Sequence, residues 1–219
     1  NADDLKKYPR TLEKDVELVK KLNKNILIYA PSVTDIYEGK TISTSFNYDG
    51  LENQMEGKHR PGHFDGVGTI VKKLFEIIKP TNAYFGEKDF QQLQIVRKLV
   101  TKHKIPVNIV GCEIFRETSG LAMSSRNERL SENARKESKL IYQILSQAKE
   151  KFVSKSANEV VIFVEKEFKK HTNFALEYFE IAAEDTLLTC KRKVKNKKYR
   201  GFIAVFIENI RLIDNISLK

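Results

Sequence analysis

The sequence has 219 residues, 41% hydrophobic and 31% charged, which is enough apolar material for a core and excludes wholesale disorder. No apolar run approaches ~18 residues and no charged start leads into an apolar stretch, so neither a membrane span nor a signal peptide is expected. Two cysteines suit a reducing cytosol rather than a disulfide framework or a four-ligand zinc site, and the net charge of +10 invites an anionic partner.

Taken in chain order, Leu12, Val16, Val19 and Leu22 recur at helical spacing. Ile26-Leu27-Ile28-Tyr29 is a short β-rich run closed by Pro31. A polar, turn-rich stretch follows, with a candidate strand at Thr41–Phe46. Phe64–Lys79 reads as a helix stopped by Pro80. Ala83-Tyr84-Phe85 is a compact strand, Gly86 a turn, Asp89–Lys102 a helix and Val107–Val110 another strand. Alternation of helix and strand is the grammar of parallel βαβ units. Beyond residue 120 the pattern changes. Ser131–Phe152 reads as one long amphipathic helix, and Ser156-Ala157-Asn158-Glu159 as a capping box opening a helix to about Lys170. Leu176–Ala182, Phe202–Ile207 and Ile210–Ile213 are β-rich runs joined without helices, which predicts an antiparallel sheet. The composition switch at 111–120 is the expected domain boundary, giving domains 1–114 and 115–219.

Chemistry concentrates in three places. Gly86-Glu87-Lys88-Asp89 follows a strand and precedes a helix, the position where ligands meet open α/β sheets. There Gly86 permits close backbone approach, Lys88 suits a phosphate and Asp89 a ribose hydroxyl. A glycine turn with a capping aspartate and a solvated lysine explains the same residues. Gln91 and Gln92 stand in the first turn beyond; Gln92 can orient a carboxylate, or both can be surface glutamines. Gly120-Leu121-Ala122-Met123-Ser124-Ser125-Arg126-Asn127 gathers two hydroxyls, a guanidinium and an amide in a small loop. It can wrap phosphate oxygens and close as a lid, or serve as an ordinary polar loop with capping serines. Arg60, His63 and the nearby His59 lie before a helix, where a histidine can shuttle protons or cap. With no Cys or Asp at ligand spacing, no protein metal site is expected. Residues 191–200 hold seven cations and no acid, so the rest of the chain is only +3. That run reads as a charged hairpin loop rather than a nucleic-acid contact, since only Tyr199 interleaves it.

Taken together, these stretches resemble the pantoate–β-alanine ligase family, the pantothenate synthetases. The similar segments are Tyr8-Pro9-Arg10-Thr11, Ala30-Pro31-Ser32, Leu51-Glu52 and Glu56-Gly57-Lys58-His59-Arg60-Pro61-Gly62-His63-Phe64-Asp65-Gly66-Val67. They continue with Ala83–Asp89, Gln91-Gln92-Leu93, Arg116-Glu117 and Gly120–Asn127. The resemblance implies a Rossmann-like α/β domain of the nucleotidyl-transferase type followed by a smaller α+β domain with an antiparallel sheet. It implies that pantoate attacks ATP to give pantoyl adenylate and pyrophosphate, after which β-alanine displaces AMP, in a cytoplasmic homodimer with Mg²⁺. It assigns ATP contacts to Gly86, Glu87, Lys88, Asp89, Phe115, Met123, Ser124, Ser125 and Arg126, and a pantoate contact to Gln92. Lys88, Ser124 and Arg126 would carry the catalysis. No nucleic acid or membrane partner is implied. The family also has an upstream His-x-Gly-His motif and a second pantoate-binding glutamine, neither of which occurs in these residues. The expectation is therefore a chain without the first βα unit: the numbered sequence omits an N-terminal piece or is a truncated form. The other readings are an inactive nucleotide-binding fragment and a basic RNA-binding module.

Overall fold

The structure, a computed structural model, describes residues 11–37 and 43–218. The chain divides into two compact units, residues 1–42 and 43–219. Tyr8-Pro9-Arg10, Thr41 and Ile42 lie outside the described residues.

In the first unit, α1 (Leu12–Leu22) and α2 (Val33–Tyr37) are helical. The expected strand at Ile26–Tyr29 is not formed; this segment is irregular. β-propensity describes a residue that fits a sheet, and it makes a strand only where a neighbour supplies the ladder.

The second unit opens on residues 43–48, which form no strand either. Their backbone amides are taken by side chains instead: Thr44 N–H donates to Thr69 Oγ1 (2.8 Å) and Phe46 N–H to Asp65 Oδ1 (2.9 Å). Then come α3 (Met55–His59) and α4 (His63–Ile78), the latter close to its expected span. The parallel unit is β1 (Asn82–Gly86), α5 (Phe90–His103) and β2 (Asn108–Cys112), with Gly86 paired to Cys112 at its carboxyl end.

The helix expected over Ser131–Phe152 is broken into α6 (Glu132–Glu137) and α7 (Lys139–Ser154). The break falls at Ser138, whose buried hydroxyl donates to the Ala134 carbonyl (2.7 Å), a back-bond that disturbs a helix. The Ser156–Glu159 capping box forms and opens α8 (Ala157–Lys169). Strands β3 (Phe174–Ala183), β4 (Tyr199–Ile207) and β5 (Ile210–Ser217) make an antiparallel sheet in that order. The β4–β5 turn is Glu208-Asn209, both with positive φ (49° and 61°), the geometry of a tight two-residue hairpin.

The sheet is covered on both faces. Ile203, Val205 and Ile207 pack with α7 and α8 through Leu145, Ala148, Val160 and Val164. Phe202, Ala182 and Leu187 join a second cluster with Phe90, Leu93, Ile95 and Leu99 of α5. A strand buried on both faces reads as a near-continuous apolar run, which β4 does. The expected boundary between residues 114 and 115 falls inside this second unit.

Candidate active site

Past Gly86 the chain makes one 3₁₀ turn, Glu87–Asp89, before α5 begins. A side chain built on Gly86 would meet nothing within 4 Å, so the protein's own packing does not require the glycine. The turn borders a cleft lined among others by Lys88, Asp89, Gln92, Arg60 and His63. Lys88 is largely buried, at 18% side-chain exposure, with its ammonium 3.9 Å from Asp89.

The two glutamines have different positions. Gln92 lines the cleft and is half-buried. Gln91 is buried and fully engaged: its amide nitrogen donates to the Leu51 and Gln54 carbonyls (2.9 Å each), and its oxygen accepts from Glu56 N–H (2.9 Å). It clamps the segment that carries α3 and Arg60.

On that segment, Arg60 lies 3.1 Å from His63 Nε2. A guanidinium only donates, so this nitrogen accepts and the imidazole is neutral. Burial first, and then Arg60, hold the His63 pKa below its ordinary value. Arg60 is also 3.8 Å from Glu56. Glu56 accepts two bonds from Arg211 (2.9 and 2.7 Å) and one from the Tyr178 hydroxyl (2.8 Å). Burial pushes the Glu56 carboxyl up, but Arg211, Tyr178 and Arg60 outweigh it and leave it below the usual range.

β5 forms the floor. Asn215 donates through one amide group to the carbonyls of Glu87 and Lys88, at 2.8 Å each. Its neighbour Asp214 takes a two-pronged ion pair from Arg116 (2.7 and 2.9 Å). Burial raises the Asp214 carboxyl, opposed by Arg116. Arg200, expected in an exposed hairpin loop with the rest of the basic run, lies in β4 instead and is buried. It donates to Glu184 (2.9 Å), Glu87 (3.3 Å) and Asn215 (2.6 Å), and stacks on Phe90 at 3.9 Å.

The second loop begins at Arg116, which also donates to the Gly120 carbonyl (3.0 Å) and lies over the Tyr142 ring. The loop closes through a bridge from Arg116 to Ala122 and a bond from Met123 N–H to the Phe115 carbonyl (2.9 Å). Phe115 is 75% exposed and Met123 50%. Ser124 accepts from Arg126 N–H (3.2 Å) and caps a 3₁₀ turn over Ser125–Arg129. Asn127, expected in the lid, is buried and braces it by donating to Glu117 and the Ala122 carbonyl. Phe115, Met123, Ser124, Ser125 and Arg126 are not among the residues lining the cleft.

Of the predicted site residues, the structure thus gathers Lys88, Asp89 and Gln92 on one wall, with Gly86 and Glu87 at the start of the same turn. Sequence reasoning missed Glu56 of α3 and also Tyr178, Arg200, Asp214 and Asn215, which come from distant strands. Their only local signal is a polar residue inside an apolar run.

The family model described as pantoate-beta-alanine ligase matches residues 1–217. The chain is 70% identical over its whole length to a pantothenate synthetase of Flavobacterium psychrophilum, of which it covers 78%. Its fold is similar to the crystal structure of pantothenate synthetase from Thermus thermophilus (TM-score 0.88, 37% identity, 97% of this chain and 76% of that one). It is also similar to the pantoate-beta-alanine ligase of Francisella tularensis complexed with beta-gamma ATP and beta-alanine (TM-score 0.78, 33% identity, 100% and 74%).

Proposed function

The chain belongs to the pantoate–β-alanine ligase family and is an ATP-dependent ligase of pantoate and β-alanine; from that premise we propose roles for its cleft residues. Lys88 meets the ATP phosphates, with Gly86, Glu87 and Asp89 of the same turn as further nucleotide contacts. Gln92, on the same wall, holds pantoate. Phe115, Met123, Ser124, Ser125 and Arg126 contact the nucleotide from the second loop, with Ser124 and Arg126 joining Lys88 in catalysis. The observation that carries the reading is the shared wall: a lysine and an amide, one helical turn apart, border one cleft.

The chemistry asks little covalent work of the protein. The pantoate carboxylate attacks the α-phosphorus of ATP and pyrophosphate leaves. The β-alanine amine, once deprotonated, then attacks the acyl carbon and AMP leaves. Both steps need positioning and compensation of charge on phosphate oxygens, which Lys88 and Arg126 supply. The acyl adenylate must be kept from water, which suits closure of the second loop over the cleft.

No group of three or more His, Cys, Asp or Glu among the described residues is placed to hold a metal ion. Of the carboxylates lining the cleft, Glu56 and Asp214 are committed to arginines, while Asp89 is half-exposed. This donor set fits a Mg²⁺ that arrives on the nucleotide, with Asp89 as its protein ligand. Bound there, the ion would neutralise phosphate charge.

The parallel-sheet part up to residue 114 and the antiparallel part from 115 act as nucleotide-binding and lid domains. A cytoplasmic homodimer completes the proposal; a sedimentation mass of one chain would overturn its dimeric part. No helix among the described residues is long and apolar enough to cross a membrane.

The direct assay is AMP release. It is expected only when pantoate, β-alanine and ATP are all present. AMP formed at the same rate without pantoate would overturn the reading.

A further inference from the structure

We infer that Asn215 is a positioning residue for ATP: through its carboxamide, β5 sets the geometry of the turn that carries Lys88. The inference rests on the reading of Lys88 as a phosphate contact.

Asn215 is 1% exposed, near the end of β5, on the face it shares with Arg211, Ile213 and Ser217. Both ends of its amide are committed. The Arg200 guanidinium has no acceptor, so the atom it meets at 2.6 Å is the amide oxygen. The nitrogen is thereby turned to the carbonyls of Glu87 and Lys88, one 2.8 Å bond to each. Arg200 is itself tied down by Glu184, by Glu87 and by the Phe90 ring. The Glu87–Asp89 turn is therefore gripped at two successive carbonyls and at one side chain.

The grip comes from a strand that cannot easily shift. β5 pairs with β4 from Ile210 to Ser217, and Asp214 beside Asn215 is pinned by Arg116. The turn itself begins past Gly86, the last paired residue of β1, so it lies beyond the β1–β2 ladder. A polar side chain in a buried strand is costly unless every bond is made. Here every bond is made, and two of the three go to the turn. An apolar residue of like size would serve the sheet as well but would lose both bonds to the turn. What the asparagine adds is placement of the turn, and with it of the Lys88 ammonium.

The test compares Asn215→Ala, Asn215→Asp, Lys88→Ala and the double variant Lys88→Ala with Asn215→Ala. Asn215→Asp keeps the shape and strengthens the pair with Arg200, but sets a carboxylate oxygen against the two carbonyls. The readouts are pantoate-dependent ATP–pyrophosphate exchange, KM for ATP and for β-alanine, and thermal melting. Both Asn215 variants are expected to melt cooperatively and to lose ~10²-fold in kcat/KM for ATP, the cost of a misplacement of about 1 Å. KM for β-alanine stays unchanged, and the loss largely disappears in the Lys88→Ala background because the two residues act as one unit. Wild-type kcat/KM for ATP in Asn215→Asp overturns the inference. So does a full additional loss on top of Lys88→Ala, or failure of both Asn215 variants to fold, which would make the residue a servant of the fold alone. Wild-type ATP kinetics in Lys88→Ala instead overturns the reading of Lys88.

Discussion

The parallel β1–α5–β2 region and the antiparallel β3–β4–β5 region of the second unit divide labour in opposite ways. The antiparallel sheet is three strands deep and sealed by α7 and α8, with Leu145, Val160, Val164 and Val205 fully buried. The parallel ladder of β1 and β2 ends at Gly86 and Cys112, and the turn that follows borders the cleft. Lys88, Asp89 and Gln92 all stand on the parallel region. A cleft needs polar groups that face solvent or ligand, and a closed core leaves no room for them. Rigidity reaches the cleft through a few buried polar links: Asn215 and Arg200 to the Lys88 turn, and Tyr178 and Arg211 to Glu56.

If this division holds, substitutions in the two regions should separate stability from chemistry. The largest effect on stability is expected from Leu145→Ala, which empties a fully buried site between α7 and the sheet. It should cost about 4 kcal/mol in denaturant unfolding and leave KM for ATP of the folded fraction unchanged. A rise in KM for ATP would show that the antiparallel core is not separable from the cleft. Next comes Lys88→Ala, expected to slow adenylate formation by ~10²–10³-fold with little change in melting temperature. Near-normal pyrophosphate exchange would remove Lys88 from its role.

Glu56→Gln probes a link between the regions. Arg211 would lose its stronger partner but keep Glu177, so about 2–3 kcal/mol is expected, less than for an arginine orphaned outright. The Glu56 carboxyl is held below its ordinary value in the folded state. Its contribution is therefore present above the unfolded pKa and lost as pH falls through the folded one. The variant should show a weaker loss of stability on acidification than the wild type, and an equal loss would break the assignment. The smallest effect belongs to Ser156→Ala. This removes a capping box remote from the cleft, at about 1 kcal/mol, and catalysis should not change at all.

Much of this molecule was legible in its sequence, for local reasons. The α4 and α5 helices, both parallel strands, the Ser156 capping box and the three antiparallel strands follow from periodicity, capping and turn chemistry, all written within a few residues. Where the reading failed, a partner distant in sequence decided. Ile26–Tyr29 has strand propensity but no ladder, and Thr44 and Phe46 satisfy their amides with side chains of α4. The Ser131–Phe152 helix, by contrast, breaks for a local reason that periodicity does not register: the Ser138 hydroxyl turns back on the chain.

The site divides along the same line. Gly86 to Asp89 and Gln92 could be found because a strand–turn–helix junction is a local pattern. Arg200 was misread as one more cation of a basic loop, and Asn215 carried no signal beyond that of a polar residue inside an apolar run. The basic excess that first suggested an anionic partner is mostly a run of surface charge. Its one buried member, Arg200, faces Glu184, Glu87 and Asn215. A sequence states which residues are charged and how they alternate. Which of them are buried, and against what, depends on contacts spanning more than a hundred residues, such as Asn215 with Glu87 and Lys88, and only the tertiary fold brings those together.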